Sequence, residues 1–312
     1  MARRLAALAG TLVATSFIVY GAVYLAPGSP LTAVTGGRPL PPATLHAISH
    51  EYGFDKPFIV RYWDWLTGAI HGDFGQSVVS RQDVSSLITP RIGTTVFLIA
   101  YAALLILLFG VALGLVSALR KGHLDTAILT VTSAGTAVPS IVAAIVLIWI
   151  FTLQLGWLPA LGSGSGFAGQ LRHLTMPAVA LALSGIAYVA RLTRAAANEE
   201  LRREHVATAR SRGIPERYVV QRHVLRNALV PITTAAGLTI AGLIAGTVVV
   251  ETAFALNGLG SFLVQAVGQK DVPVVQAICL ILVAAFIVVN TVVDLLYAVI
   301  DPRIGFGGGG DR

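Results

Sequence analysis

Long apolar runs without a charged side chain dominate this chain of 312 residues. A helix needs about 20 such residues to cross a hydrocarbon core of about 30 Å. Helices satisfy their backbone hydrogen bonds internally, so the runs predict an all-α membrane protein with six transmembrane helices. The runs are residues 5–26, 92–119, 126–155, 174–190, 228–250 and 272–293, the last expected to extend to residue 300. The fourth is short, but Arg191 and Arg194 can snorkel from its end.

Composition supports the same class. Hydrophobic residues make up 55% of the chain and charged residues only 12%, against about 25% charge in a soluble domain. The one cysteine, Cys279, lies inside an apolar run and excludes an intrachain disulfide and a CxxC metal pair. We expect it to be a small packed residue.

The first run follows Arg3 and Arg4, as a signal peptide would. It is longer than a typical signal core, however, and Pro27 follows it without a small-x-small cleavage site. We therefore predict that residues 1–26 form a retained transmembrane helix, with a signal peptide as the alternative.

Residues 27–91 differ in kind, because they are polar, nearly balanced in charge and rich in proline at their start. The segments ATLHAISHEYG and PFIVRYWDWLTGAI predict two short helices, the first ending at Gly53 and the second starting at Pro57. We predict a small extracytoplasmic lobe. Its histidines, His46, His50 and His71, are scattered, and we expect no metal site there.

Small residues and proline mark breaks and close contacts within the runs. Pro139 predicts a kink in the third run, and the glycines of residues 156–169 predict a loop. Two GxxxG spacings, at Gly110/Gly114 and Gly242/Gly246, suggest sites where helices approach closely.

Basic residues orient the helices. With the N-terminus in the cytoplasm, 15 of the 22 Lys and Arg residues lie on inner segments, nine of them between residues 191 and 226. The positive-inside rule therefore predicts that both termini are cytoplasmic. This gives a core of residues 92–300 that includes a cytoplasmic loop, residues 199–227, and a cytoplasmic tail, residues 301–312.

The stretch EHVATARSRGIPERYVVQRHVLRNALVP, residues 204–231, concentrates this charge. Gly213 and Pro215 divide it into two short helices. The second has an apolar stripe at Val220, Val224 and Ala228. A solvated basic loop would have the same charge. Two short helices that lie across the cytoplasmic face could, in addition, transmit force between the membrane helices and a docked protein. The residues alone leave both interpretations open.

The segment resembles the coupling loop, or EAA loop, of bacterial ABC importer permeases. Aligned on Gly213, it has Ala207-Thr208-Ala209 as the first triplet and His223-Val224-Leu225-Arg226 at the end, so the glutamate, isoleucine and proline of the general motif are absent. The version here, TAR-x-x-G followed by RH-x-LRNAL-x-P, is similar to that of the dipeptide/oligopeptide branch.

Further segments resemble the same branch in order and spacing: YGFDKPFIVRYWDWLTGAIHGDFG, then residues 172–194, then VVVETAFALNGLG and DLLYAVIDPRI. The large segment between the first two helices is similar to that of the first of two permeases usually encoded together. The chain is thereby identified as a member of the binding-protein-dependent transport family, first-permease type.

This resemblance implies a complex in the bacterial plasma membrane, the inner membrane of the cell. It implies a second homologous permease, two ATPase subunits or a fused pair, and an extracytoplasmic substrate-binding protein, with lipid around the bundle and no nucleic acid. ATP and Mg²⁺ would bind the ATPases, and this chain would hold no cofactor and no metal and would not be an enzyme. The absence of a GxxxxGK[ST] motif agrees with this expectation.

The resemblance also implies roles for residues of the loop. Ala207, Thr208, Ala209 and Gly213 would shape the turn, and Arg210, Arg212 and Arg217 would contact the ATPase. His223, Leu225 and Asn227 would attach the second helix to the bundle.

Three polar residues of the last two runs are candidates for a gate or pathway. Glu251 is placed near the outer end of the fifth run, and Asn290 and Asp294 share a face of the sixth. Because both carboxylates are near helix ends, we expect hydration or an ion pair to lower their cost. We expect structural or gating roles, with contact to the solute along the path as the alternative, and we do not expect proton coupling.

Two other classes remain as alternatives. A stand-alone secondary transporter would need ionisable groups at mid-depth and internal repeats. A membrane enzyme would need convergent polar groups, whereas His173 and Asp294 fall at opposite ends of the predicted bundle. Relatives carry dipeptides, longer peptides, glutathione, nickel chelates or haem, and the sequence does not choose among them.

Overall fold

The structure is a computed structural model that describes residues 2–25, 41–51 and 55–300. Within these ranges the chain is helical, and its only β-type pairing is an isolated antiparallel bridge between Gln76 and Asp83. The predictions for residues 27–40 and for the tail, residues 301–312, fall outside the described residues.

The helices are numbered here in chain order. They are α1 (Ala2–Leu25), α2 (Pro42–Glu51), α3 (Phe58–Ile70), α4 (Val84–Leu105), α5 (Val111–Leu119), α6 (His123–Ala137), α7 (Ser140–Leu147), α8 (Gly166–Leu201), α9 (Glu204–Ser211), α10 (Glu216–Val219), α11 (Arg226–Ala253), α12 (Leu259–Gly268) and α13 (Val272–Ile300). Short π-helical segments join α4 to α5 (Ile106–Gly110), extend α7 (Ile148–Gln154) and join α10 to α11 (Val220–Leu225).

Four stretches of the described chain are long and apolar enough to cross a membrane: Val84–Leu119, Gly166–Leu201, Glu216–Ala253 and Val272–Val293. A fifth arises if α6 and α7 with its extension, which meet at 106°, count as one bent span. The apolar stretch of α1 described with side chains, Gly10–Ala22, is shorter. Among the described residues the structure therefore shows four or five spans, where the sequence predicts six.

Three sequence predictions about helix limits need correction. The fourth span is a helix of 36 residues and not a short one, and it begins at Gly166, inside the predicted glycine loop. The predicted kink at Pro139 is a complete break, because Val138 adopts an extended conformation and Pro139 precedes a new helix. The second short helix of the basic loop continues without a break into α11, so it is the first turn of a span.

The chain divides into two compact units, Met1–Thr95 with Leu256–Ile287, and Val96–Ala255 with Val288–Arg312. In the first unit, α3 packs against α1 through a cluster of aromatic rings. Tyr20, Tyr62 and Leu66 are buried there, and the Tyr62 hydroxyl lies 2.8 Å from Ser16 Oγ and donates to the Val13 carbonyl oxygen. The segment around α3 is therefore attached to the first apolar helix.

In the second unit, α8 is the central helix, with α5, α6, α7 and α11 packed around it. Gly114 on α5 permits a close approach to α8, because a Cβ there would meet the Ala190 carbonyl oxygen and lie 2.5 Å from Thr193 Cβ. Gly110 faces Val189 in the same way. The first GxxxG pair is thus a packing site. The second is only half of one, since Gly246 meets Leu181 but Gly242 faces open space.

Candidate functional site

The basic segment predicted to couple to a partner begins where α8 ends. Arg202 closes α8, and Arg203 in an extended conformation redirects the chain into α9. The eight residues of α9 are followed by a turn that leads into α10 and hence into the long span of α11. Residues 202–225 therefore form a bridge between two membrane helices, which we call the coupling surface.

The turn between α9 and α10 depends on Gly213. Its φ is +73°, in the left-handed region that glycine enters without steric cost. The Gly213 amide donates to the Arg210 carbonyl oxygen at 3.0 Å, and the next amide, of Ile214, donates to the Ala209 carbonyl oxygen at 3.2 Å. Pro215 then precedes the first helical residue, Glu216. The prediction that Gly213 and Pro215 divide this segment is confirmed, but only α9 is a separate short helix, because α10 continues into α11.

An apolar underside fixes the coupling surface to the helix ends. Val206 and Ala209 of α9 are buried together with Val219 and Val224 of the following turns. They pack on Ala118 of α5 and Ala197 of α8, with Leu115, Leu201 and Ile214 at the margin. A movement of this surface would therefore displace the ends of α5 and α8 that pack against it.

The outer side of the same surface is polar and accessible. Ala207, Thr208, Arg212 and Arg217 are exposed. Arg217 lies over the ring of Tyr218, 4.9 Å from its centroid. Within the described part of the chain, neither Arg212 nor Arg217 has a carboxylate partner.

Arg210 is different, because its guanidinium forms a two-bond ion pair with Glu216 across the turn. Arg210 Nη2 lies 2.5 Å from Glu216 Oε1, and Arg210 Nε lies 3.1 Å from Oε2. The Glu216 carboxylate raises the pKa of Arg210 above its ordinary value. Sequence reasoning grouped Arg210 with the outward cations, whereas the structure gives it a partner that ties α9 to α10.

A second polar cluster attaches the end of the coupling surface to α8. The Asn227 side-chain amide donates to Glu200 Oε2 at 3.3 Å and to the His223 carbonyl oxygen at 3.0 Å. Glu200 is buried and also pairs with Arg203 at 3.0 Å. His223 and Leu225, which precede Asn227 in the sequence, are half-buried.

Sequence reasoning missed two carboxylates at this end of the unit. Glu200 is one, and Asp125 in the first turn of α6 is the other. Arg194 of α8 holds Asp125 through two bonds of 2.7 Å, and the Ser117 hydroxyl of α5 donates to the same carboxylate. The available signal was that Asp125 is the one acidic residue between the second and third apolar runs.

The candidate gate residues do not join this site. Glu251 lies near the opposite end of α11 from Asn227, and it is fully buried and interacts within the protein. Of the two compensations expected for its charge, hydration or an ion pair, its burial excludes hydration. Asn290 is half-buried on α13, and the side chain of Asp294 is outside the described residues.

Metal ligands are not gathered anywhere in the described ranges, where no group of three His, Cys, Asp or Glu side chains could hold an ion. His71 Nδ1 lies 2.7 Å from the Thr67 carbonyl oxygen, and His46 is exposed. The side chain of His50 lies outside the described residues.

Known proteins similar to this chain agree with the architecture. Glutathione transport system permease protein GsiC of Pectobacterium atrosepticum is 36% identical over 305 residues, covering 97% of this chain and 98% of the relative. The protein of the same name from Escherichia coli K12 is 35% identical over the same coverage. In fold, the chain is similar to the inward-facing MetNI methionine ABC transporter, with a TM-score of 0.58 at 17% identity over 69% of this chain and 96% of that one.

Family assignment follows from matches that cover nearly the whole sequence. Residues 110–306 match the family described as binding-protein-dependent transport system inner membrane component, and residues 1–99 match the N-terminal component of such membrane proteins. The chain belongs to the binding-protein-dependent transport inner membrane component family and is a permease subunit of an ABC importer that carries a small solute.

Proposed function

We propose that the coupling surface binds an ATPase subunit of this importer and transmits its closure to α5, α8 and α11. The observation that supports this most directly is the two-sided character of the surface: exposed Arg212 and Arg217 on one side, and on the other an apolar underside packed on helix ends. ATP and Mg²⁺ bind the ATPase, and this chain takes no part in hydrolysis.

The complex contains a second homologous permease, two ATPases or a fused pair, and an extracytoplasmic binding protein. In this arrangement the chain has six spans, with α1 as the first and both termini in the cytoplasm, because the basic residues then lie predominantly inside. The residues between α1 and the span that begins at Val84 form the extracytoplasmic lobe. The near absence of charge from the apolar runs argues against a stand-alone secondary transporter.

The solute is a small peptide or peptide-like compound. The relatives that share 35–36% of this sequence are named for glutathione transport, and the sequence resembles the dipeptide/oligopeptide branch. Glutathione and short peptides share amide bonds and a free carboxylate, so one permease path can serve either chemistry. The binding protein then makes the choice between them.

Co-purification tests the composition of the complex. A C-terminal tag on this chain, extraction in mild detergent and mass spectrometry should recover a second permease and ATPase subunits. A single chain that transports in liposomes without ATP would contradict the proposal.

Reversing charge at the outer face of the coupling surface should uncouple the importer. In an Arg212→Glu/Arg217→Glu variant we expect ATPase binding to weaken about tenfold or more, because two cations at the contact become anions. Binding of the purified ATPase to the reconstituted permease pair would measure this. Arg81→Glu/Lys270→Glu, the same change of charge on predicted outer segments, should leave binding unaltered. Equal ATPase affinity of both variants would refute the assignment.

A further inference from the structure

A cavity of about 450 Å³ opens in the second unit where the break at Pro139 faces α8 and α11. It lies close to the midpoints of these elements, and its volume is within the range of small-molecule sites. No charged side chain lines it among the described residues. Its polar lining consists of the side-chain hydroxyls of Thr136, Ser140, Ser184 and Thr239.

The broken backbone beside the cavity needs polar surroundings. Val138 and Pro139 are extended, and no side chain caps the start of α7. Non-helical backbone at membrane depth is tolerated only where it is buried in protein or lines a cavity that contains water. Thr136 and Ser140 flank the break and line the cavity together with Val138 and Pro139, so the broken segment borders the same space as the hydroxyls.

Two of the four hydroxyls are uncommitted. Ser140 and Ser184 make no side-chain hydrogen bond within the described chain, so each can donate one bond and accept others. Thr136 Oγ1 donates to the Ser133 carbonyl oxygen at 2.9 Å, and Thr239 Oγ1 donates to the Ala235 carbonyl oxygen at 2.7 Å. These two therefore retain only acceptor capacity. The set as a whole suits neutral donors and acceptors, such as amide N–H and C=O groups.

The glycines around the cavity differ in what they face. A Cβ at Gly185 would lie 2.6 Å from Ile106 Cδ1, and one at Gly246 would lie 2.7 Å from Leu181 Cδ1, so both glycines serve helix packing. A Cβ at Gly242 would meet nothing within 4 Å, although Gly242 lines the cavity. This position keeps the space open.

We propose that this cavity is a solute-contact site on the translocation path, where the hydroxyls of Thr136, Ser140, Ser184 and Thr239 hydrogen-bond to uncharged amide groups of a passing peptide. The inference rests on the proposed function. The absence of charge from the lining suits a passing solute, because a site on the path must bind the solute weakly enough to release it.

Cysteine accessibility tests whether water and solute reach the site. Because Cys279 is the one cysteine of the chain, Cys279→Ser gives a cysteine-free background. In the reconstituted complex, Ser184→Cys should react with a charged, membrane-impermeant methanethiosulfonate reagent. Saturating dialanine or S-methylglutathione, neither of which has a free thiol that could consume the reagent, should slow the reaction several-fold when the binding protein and ATP are present. As the control, Ile18→Cys on α1, exposed but outside the cavity, should not react.

Filling the cavity gives a second readout. Gly242→Leu should reduce import of the same peptides several-fold while the complex assembles normally, because the added side chain enters open space. Gly93→Leu is the matched control, since a Cβ at Gly93 also meets nothing within 4 Å and this residue does not line the cavity. It should retain import.

The outcomes separate the two proposals. A complex that imports neither peptide refutes the proposed solute class, whatever the labelling shows. If the complex imports peptide but Ser184→Cys is unreactive, or reacts at a rate that peptide does not change, the cavity is not a solute site. Full import by the Gly242→Leu variant would also refute the proposal that the cavity is a solute-contact site.

Discussion

Arg194 and Asp125 form the best-defined ion pair of the second unit. Two bonds of 2.7 Å join them, and the side chains retain only 30% and 15% of their exposure. Asp125 lies in the first turn of α6, where the positive end of the helix dipole favours an anion. With the Ser117 hydroxyl as a third partner, this cluster joins α5, α6 and α8 beside the coupling surface. A carboxylate in this setting has a structural role.

Breaking the Arg194–Asp125 pair should lower the stability of the permease. Bonds to charged groups contribute about 1.5–3 kcal/mol, so Asp125→Asn and Arg194→Gln should each reduce the free energy of unfolding by an amount in this range. Thermal or denaturant unfolding in detergent would measure it. In a double-mutant cycle the two losses should overlap strongly. Simple additivity of the two losses would show that the residues act independently.

At the level of helices, local breaks could be predicted from the sequence and helix continuity could not. Pro139 and Gly213 break the helices through their own backbone conformation, which depends on the residue type alone and can therefore be predicted from the sequence. Pro177 and Pro231 lie inside α8 and α11 without ending them, because packing of the whole span maintains the helix. The ends of α8 and the fusion of α10 with α11 depend on contacts with other helices, and so does the pairing of Arg210 with Glu216. Apolar runs alone do not contain this information.

Gly114 and Gly242, one from each GxxxG pair, should respond in opposite ways to substitution by alanine. Gly114→Ala should destabilise the protein by about 1–3 kcal/mol, because its Cβ meets the backbone of α8 and overpacking at this level is costly. Gly242→Ala should be neutral or slightly stabilising, since alanine favours the helix and the space is open. Melting temperatures of the purified variants would distinguish them. Equal losses would mean that Gly242 also packs against a neighbour.

For the chain as a whole, the distribution of charge separates the apolar runs from the proposed coupling surface. The apolar runs are nearly bare of charge, and the coupling surface concentrates it. A transporter driven by protons needs groups that gain and lose a proton within the bundle. Glu251 is the one fully buried carboxylate among the described residues, and it is held by interactions within the protein. This distribution supports the proposal that the energy for import enters through the coupling surface.

Import should accordingly be independent of a proton gradient. In liposomes that contain the whole complex, a protonophore should leave ATP-driven peptide uptake unchanged. Glu251→Gln keeps the shape of the side chain and removes its charge, so the variant should retain the wild-type ratio of peptide imported to ATP hydrolysed, even if less complex is recovered. Measuring that ratio, and not the rate alone, separates coupling from folding. Loss of uptake with the protonophore, or a changed ratio in Glu251→Gln, would instead give this carboxylate a part in energy coupling. A buried carboxylate that releases its proton once per transport cycle would link peptide import to proton movement.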